Sequence, residues 1–231
     1  MGLSLLSNKE RTSKKHASAE ARRVLSLLEG RPVEERDFGR EAQGRPFLPD
    51  SGLDFSISHS GAMAAVSLVR GGKFRTGCDI ERIRMRQGTA EVAENFFSAP
   101  ERNYIFNEKN IDETRFFGIW TLKECYLKLR GHSVFDIASV PSFISDEGSG
   151  KEQFAFGAAV PSALSFRLYE LSDGTQAASG CGERYMLAVV IEGEKAPHPV
   201  IRWFSQTSLD CRMIAEIKAA PNPTETVSPK I

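Results

Sequence analysis

Trp120-Thr121-Leu122-Lys123-Glu124-Cys125-Tyr126-Leu127-Lys128 places a carboxylate and an ammonium four residues apart in a strongly helical run. At that spacing Glu124 and Lys128 share one helix face. The neighbours Phe116, Phe117, Ile119, Trp120, Leu122, Leu127 and Leu129 are too apolar for a solvated helix. One side must therefore pack while the other presents Lys123, Glu124 and Lys128. Taken alone, Glu124 and Lys128 read as an ordinary surface ion pair, which is common and weak.

Upstream, Gly77-Cys78-Asp79-Ile80-Glu81 reads as a short strand. Period two puts Asp79 and Glu81 on one face and turns Cys78 and Ile80 to the other. Two like charges held together cost energy unless a cation neutralises them, and oxygen ligands from Asp79, Glu81 and Glu124 suit Mg²⁺. By itself the Asp79 and Glu81 pair reads equally well as a solvent-facing acidic edge.

The chain has 231 residues, enough to bury a sizeable core as one large domain or two small ones. Hydrophobic residues make up 41% and charged residues 26%, as in a soluble globular protein. A formal net charge of zero supplies no overall field towards nucleic acid or an anionic membrane. Cys78, Cys125, Cys181 and Cys211 are far apart, which argues against a zinc site or disulfide scaffold and fits a reducing compartment. The apolar start, Met1 to Leu6, meets Asn8-Lys9-Glu10-Arg11 too early for a signal-peptide core, and no run approaches a membrane span. A cytoplasmic protein is expected.

In chain order, residues 7 to 29 read as a helix, basic at its start through Lys9, Arg11, Lys14 and Lys15 and ending near Gly30 and Pro32. Gly44-Arg45-Pro46 fixes an arginine in a turn, where its guanidinium can grip an anion bidentately or stand in water. Phe55-Ser56-Ile57-Ser58 alternates as a half-buried strand and ends in His59-Ser60-Gly61, a place for an anion contact. No nucleophile elbow or third triad member accompanies that histidine, so a hydrolase reading lacks support. Ala62 to Val69 is an apolar strand, and Gly71-Gly72-Lys73 reads as the turn of a hairpin leading to the Asp79 strand. A helix over Thr89 to Phe97 follows, then a second opened by Ser98 with Pro100 and Glu101 in its first turn, then a polar link from Asn107 to Glu113. Beyond Gly131, short strands are expected at Val134 to Ile137, Ser142 to Ile144, Gln153 to Phe156, Ser165 to Glu170 and Tyr185 to Ile191. The tail from Ala219 to Ile231 has a disordered composition.

The order of these motifs, from Gly44-Arg45-Pro46 through Ser58-His59-Ser60-Gly61, Gly77-Cys78-Asp79-Ile80-Glu81 and Phe96-Phe97 to Trp120-Thr121-Leu122-Lys123-Glu124 with Lys128, is specific. It resembles the 4′-phosphopantetheinyl transferase superfamily, in its longer, Sfp-like class. The resemblance covers residues 40 to 135 well and the flanks weakly. It implies an α+β fold of two similar halves, each a helix packed on an antiparallel sheet, with the active site between them. On that basis residues 1–75 form the coenzyme A side, 76–205 the metal and catalytic side, and 206–231 a C-terminal segment.

The activity implied is Mg²⁺-dependent transfer of phosphopantetheine from coenzyme A to a serine of an apo acyl or peptidyl carrier protein by a monomer, with no nucleic acid or membrane partner. The resemblance makes Asp79, Glu81 and Glu124 the metal ligands, Glu124 also the base, and Lys128 and His59 the groups facing the attacked phosphate. Arg45 falls where the family holds the 3′-phosphate, Gly44 and Pro46 frame the adenine, and Ser58 touches phosphate by its hydroxyl or backbone. Carrier recognition falls to the Phe96-Phe97 region and the helix after it. Two features depart from the pattern. The stretch before Arg11 is short, so the usual N-terminal strand and helix look compressed and only Arg11 and Lys14 loosely match its basic residues. Cys125 stands where Ala or Ser is usual and reads as a small core residue. Two rival readings are a Mg²⁺-dependent nuclease, disfavoured by zero net charge, and a non-catalytic carrier-binding module, for which no catalytic residue is missing.

Overall fold

Alternation in Leu53–Ser60 and an unbroken apolar run in Tyr185–Ile191 produce two different kinds of strand. The computed structural model describes residues 2–7, 14–61, 63–107, 110–144, 163–172, 182–194, 200–203 and 210–218, with side chains from residue 17 to residue 194 of these. In chain order the elements are β1 (Gly2–Ser7), α1 (Lys14–Glu29), β2 (Gly39–Arg40), β3 (Pro46–Phe47), β4 (Leu53–Ser60), β5 (Met63–Arg70) and β6 (Arg75–Arg82). Then come α2 (Thr89–Phe96), α3 (Ala99–Ile105), β7 (Phe106–Asn107), β8 (Asn110–Ile111), α4 (Glu113–Arg130), β9 (Leu164–Ser172), β10 (Arg184–Glu192), β11 (Val200–Trp203) and β12 (Asp210–Lys218).

Two four-stranded sheets result, one in the order β11-β1-β5-β4 and the other β12-β9-β10-β6. All pairings are antiparallel except that of β1 with β11, which is parallel. The first sheet packs Phe55, Val66 and Leu68 against Ala21, Val24 and Leu25 of α1. In the second, β10 is buried on both faces, which is why it reads as a continuous apolar run. Phe166, Leu168, Met186, Ala188 and Val190 meet α4. Tyr169, Leu171, Tyr185, Leu187 and Val189 meet Met63 and Ala65 of β5 and Cys78 and Ile80 of β6.

Helix α4 begins at Asp112, whose carboxylate accepts the Arg115 amide at 3.0 Å, and ends at Gly131 in the left-handed region at φ 73°. Most of its length is buried, including Lys123. The sequence puts Lys123 on the exposed face with Glu124; the structure corrects this. Lys123 and Glu101 are 1% and 0% exposed and lie 3.0 Å apart. The Lys123 ammonium also donates to Val140 O, while Glu101 accepts from the Ser98 and Phe143 amides. The pair thus ties α4, the Ser98 cap of α3 and the segment after α4 into one core. A buried ion pair is tolerated where further hydrogen bonds of this kind supplement the charge pairing.

Several other expectations change. The first strand runs to Ser7 and α1 starts at Lys14, so the N-terminal strand is present and pairs along β5. Gly71-Gly72-Lys73 is a crossover: β6 pairs with β10, more than a hundred residues on, and leaves the sheet of β5. Val134 to Ile137 is a 3-10 turn, because Ser133 and Asp136 form a reciprocal cap that fixes the first turn. The link from Asn107 to Glu113 includes the short β7-β8 pair, and Ser142 to Ile144 contributes only an isolated bridge. β12 was not expected at all; its register breaks between Met213 and Ala215, which interrupts the period of two. The helices at Thr89 and Ser98 and the strands at Ser165 and Tyr185 form as read. Gln153 to Phe156 and the tail lie outside the described residues.

Gly77 sets how closely α4 approaches β6. A Cβ there would stand 2.5 Å from Cys125 O, 2.9 Å from Val190 Cγ1 and 3.0 Å from Leu129 N. Gly77→Ala should therefore push helix and strand apart, costing about 2–4 kcal/mol and lowering Tm by roughly 5–10 °C in thermal unfolding. A Tm within about 1 °C of the parent would mean that this contact does not set the helix position.

Candidate active site

The edge strands β4 and β6 run alongside each other without a backbone ladder, and side chains of β4 supply the missing bonds. Asp54 Oδ2 accepts the Thr76 amide at 2.6 Å, Ser58 Oγ accepts the Ile80 amide at 3.2 Å and Ser60 Oγ accepts the Arg82 amide at 3.0 Å. Between them, Cys78 Sγ donates to Ser56 O at 3.3 Å. Each contact joins residues 22 apart, so alternate residues of β4 serve alternate residues of β6. The same serines donate to the carboxylates of β6: Ser58 to Asp79 Oδ1 at 2.7 Å and Ser60 to Glu81 Oε2 at 2.8 Å.

Helix α4 brings the other half of the constellation. Lys128 Nζ lies 2.6 Å from Asp79 Oδ1 and donates to Ser58 Oγ at 2.7 Å. One oxygen from each of Asp79, Glu81 and Glu124 falls within 4.8 Å of the others. Asp79 is 1% exposed, and its Oδ2 has no hydrogen-bond partner among the described residues. A buried carboxylate oxygen left without a partner is costly. Burial first, then the Asp79 charge, pushes the Glu81 carboxyl up to about 7 and the Glu124 carboxyl up to about 8. Burial opposes the Lys128 ammonium, but the Asp79 and Glu124 charges outweigh it and raise its pKa. Three crowded carboxylates, one of them with an orphaned oxygen, fit a divalent cation of the Mg²⁺ or Mn²⁺ type.

These residues floor a cleft of about 420 Å³ lined also by Ser18, Arg40, Gly44, Pro46, Ser58 and His59. A second cleft, of about 510 Å³, is lined by Arg86, Thr89, Phe96, Phe116, Phe117 and Trp120. Glu81 and Glu124 belong to both.

The cleft thus gathers Gly44, Pro46, Ser58, His59, Asp79, Glu81, Glu124 and Lys128. Arg45 is a correction. Its side chain is 4% exposed, gripping Asp54 bidentately at 2.8 Å and donating to Phe55 O at 3.1 Å and Thr76 O at 2.7 Å. Its guanidinium staples β4 to β6 and does not line the cleft; Arg40, which the sequence did not single out, does. Ser58 is a partial correction. Its single proton goes to Asp79 and its oxygen accepts two donors, so the hydroxyl is spent on the seam. Lys14 opens α1, one turn before the cleft residue Ser18, with its side chain outside the described residues; Arg11 lies wholly outside them. Phe97 is core, stacked on Phe116, whereas Phe96 is exposed. Cys125 is buried with its thiol pKa well raised by burial, an inert packing residue.

An α+β protein with an acidic triad and a lysine gathered between a helix and the seam of two sheets is the class that this geometry defines. Residues 75–190 match the family model of the 4′-phosphopantetheinyl transferase superfamily, and the chain belongs to that superfamily. It is 38% identical over 130 residues to the 4′-phosphopantetheinyl transferase AcpT of Salmonella typhimurium, a match covering 55% of this chain and 66% of that protein. It is 29% identical over 132 residues to the 4′-phosphopantetheinyl transferase psf-1 of Bacillus pumilus, covering 55% and 54%. Over 127 residues it is 32% identical to the 4′-phosphopantetheinyl transferase HetI of a Nostoc species, covering 51% of each. The matches thus span between about half and two thirds of these relatives.

The raised carboxyls carry a stability signature. The unfolded chain releases these protons near 4.5, whereas the folded chain keeps them up to about 7 and about 8. Folding therefore binds protons in that window, and the metal-free protein loses stability as pH rises through it. In EDTA, Glu124→Gln should raise Tm by ~5 °C at pH 8.5 and leave it nearly unchanged at pH 4. A gain that is the same at both pH values would show that Glu124 is not held protonated.

Proposed function

We propose that this protein transfers the 4′-phosphopantetheine arm of coenzyme A to a serine hydroxyl of an apo acyl or peptidyl carrier protein, as a holo-carrier-protein synthase. The observation that carries the proposal is the meeting of Asp79, Glu81, Glu124 and Lys128 on the floor of a cleft walled by Gly44, Pro46 and His59. Asp79, Glu81 and Glu124 would hold Mg²⁺, which when bound would offset the charge developing on the pyrophosphate. Lys128 spends two N–H groups on Asp79 and Ser58 and keeps a third for the attacked phosphate, with His59 across the cleft. Glu124 takes the serine proton, directly or through a water. The serine oxygen forms the new bond to phosphorus as the pyrophosphate P–O bond breaks and adenosine 3′,5′-bisphosphate leaves. Because Glu81 and Glu124 border both clefts, the donor enters past Gly44 and Pro46 while the acceptor serine arrives past Phe96 and Trp120.

The same reading takes the chain as two similar halves, divided after residue 75, with residues 76–205 the catalytic side and 206–231 a terminal segment. It takes one cytoplasmic chain as sufficient. Intact mass of an apo carrier protein after incubation with coenzyme A and Mg²⁺ should rise by one phosphopantetheine, and should not rise with EDTA or with Glu124→Ala. An unchanged mass across several carrier types, with folded protein, would favour a non-catalytic carrier-binding module; Mg²⁺-dependent cleavage of plasmid DNA lost in Asp79→Ala would favour a nuclease.

The two arginines near the turn should separate in kinetics. Arg40→Ala is expected to raise the KM for coenzyme A about tenfold at nearly unchanged Tm, since an exposed arginine facing a phosphate contributes roughly 1–2 kcal/mol. Arg45→Ala should instead lower Tm by ~10 °C, since it removes a buried guanidinium that holds Asp54 and two carbonyls. The reverse pattern would return Arg45 to phosphate binding.

A further inference from the structure

The seam between β4 and β6 does more than join two sheets, because it sets which carboxylate oxygens stay free. A serine hydroxyl has one proton and two lone pairs, and its proton can swing unless something fixes it. Ser60 Oγ accepts the Arg82 amide at 3.0 Å, which occupies a lone pair from a rigid backbone donor. Its proton is thereby directed to Glu81 Oε2 at 2.8 Å. Ser58 repeats the arrangement two residues earlier, with the Ile80 amide and Asp79 Oδ1, and there the other oxygen, Oδ2, is the buried one without a partner. Each serine thus caps one oxygen of a carboxylate whose residue belongs to the triad.

We propose that Ser60 is a positioning residue that orients Glu81 for a divalent cation, acting through the carboxylate and touching neither cation nor substrate. It is not among the residues lining either cleft. The inference rests on the reading of Asp79, Glu81 and Glu124 as a cation site. Without the hydroxyl, Glu81 Oε2 loses its donor and the carboxylate is free to rotate, so an entropic cost moves onto cation binding. Partners of ligating groups in this position typically account for 10–100-fold in metal affinity.

The test is Mn²⁺ binding to the full chain, followed by loss of the free-ion paramagnetic resonance signal, at a temperature where circular dichroism shows every variant folded. Ser60→Ala should weaken Mn²⁺ binding about tenfold. Ser60→Thr, which keeps the hydroxyl, should stay within about twofold of the parent. Equal Mn²⁺ affinity in Ser60→Ala and the parent would overturn the positioning role and leave the cation site standing. The same loss in Ser60→Thr as in Ser60→Ala would also overturn it, since the hydroxyl would then not be what matters. A parent chain that binds no Mn²⁺ would overturn both the positioning role and the cation site.

Discussion

Two sheet edges that cannot pair directly are held together by side chains placed every second residue. The bonds from Asp54, Ser56, Ser58 and Ser60 to the strand Arg75–Arg82 replace a backbone ladder. An edge strand with free amides invites the wrong partners, and this one is closed internally. The same serines that bridge the strands also hold Asp79 and Glu81. Arg45 fastens one end of the seam by bonding to carbonyls of both strands.

Charge is distributed along α4 so that its two lysines do unlike things. Lys123 is sealed in the core with Glu101 and sets the relation of the helix to α3 and to the segment after it. Lys128 faces the carboxylates of the cleft, with two of its three N–H groups placed on Asp79 and Ser58. The helix can bury Lys123 because Glu101 supplies its counter-charge and Val140 O a second acceptor. Gly77 then permits the close approach that puts Glu124 within ligand distance of Asp79 and Glu81.

Crowding three carboxylates in a partly dry site is unfavourable to the empty protein, as the raised Glu81 and Glu124 pKa values record. Such a site stores a preference for a cation, and the placement of Glu124 between two clefts makes the same carboxyl accessible to both reactants in the proposed reaction. Stability of the metal-free fold and readiness for a cation are therefore opposed, which is a common trade at functional sites.

Local physics made much of this legible in the sequence. Period two placed Asp79 with Glu81, and period 3.6 placed Glu124 with Lys128; side-chain direction follows from the backbone alone, so these groupings needed no partner. The Ser98 and Gly131 boundaries were readable for the same reason, being satisfied within a few residues. What the sequence could not assign were groups whose partner is distant: that Lys123 turns inward to Glu101, that Arg45 is consumed by Asp54 and two carbonyls, that β6 leaves β5 for β10, and that Ser58 spends its only proton on Asp79. A charged side chain carries the same local signature whether it meets solvent, a ligand or a buried counter-charge. Only the tertiary fold decides which of these it meets, because the desolvation that selects among them is set by residues far away in the chain.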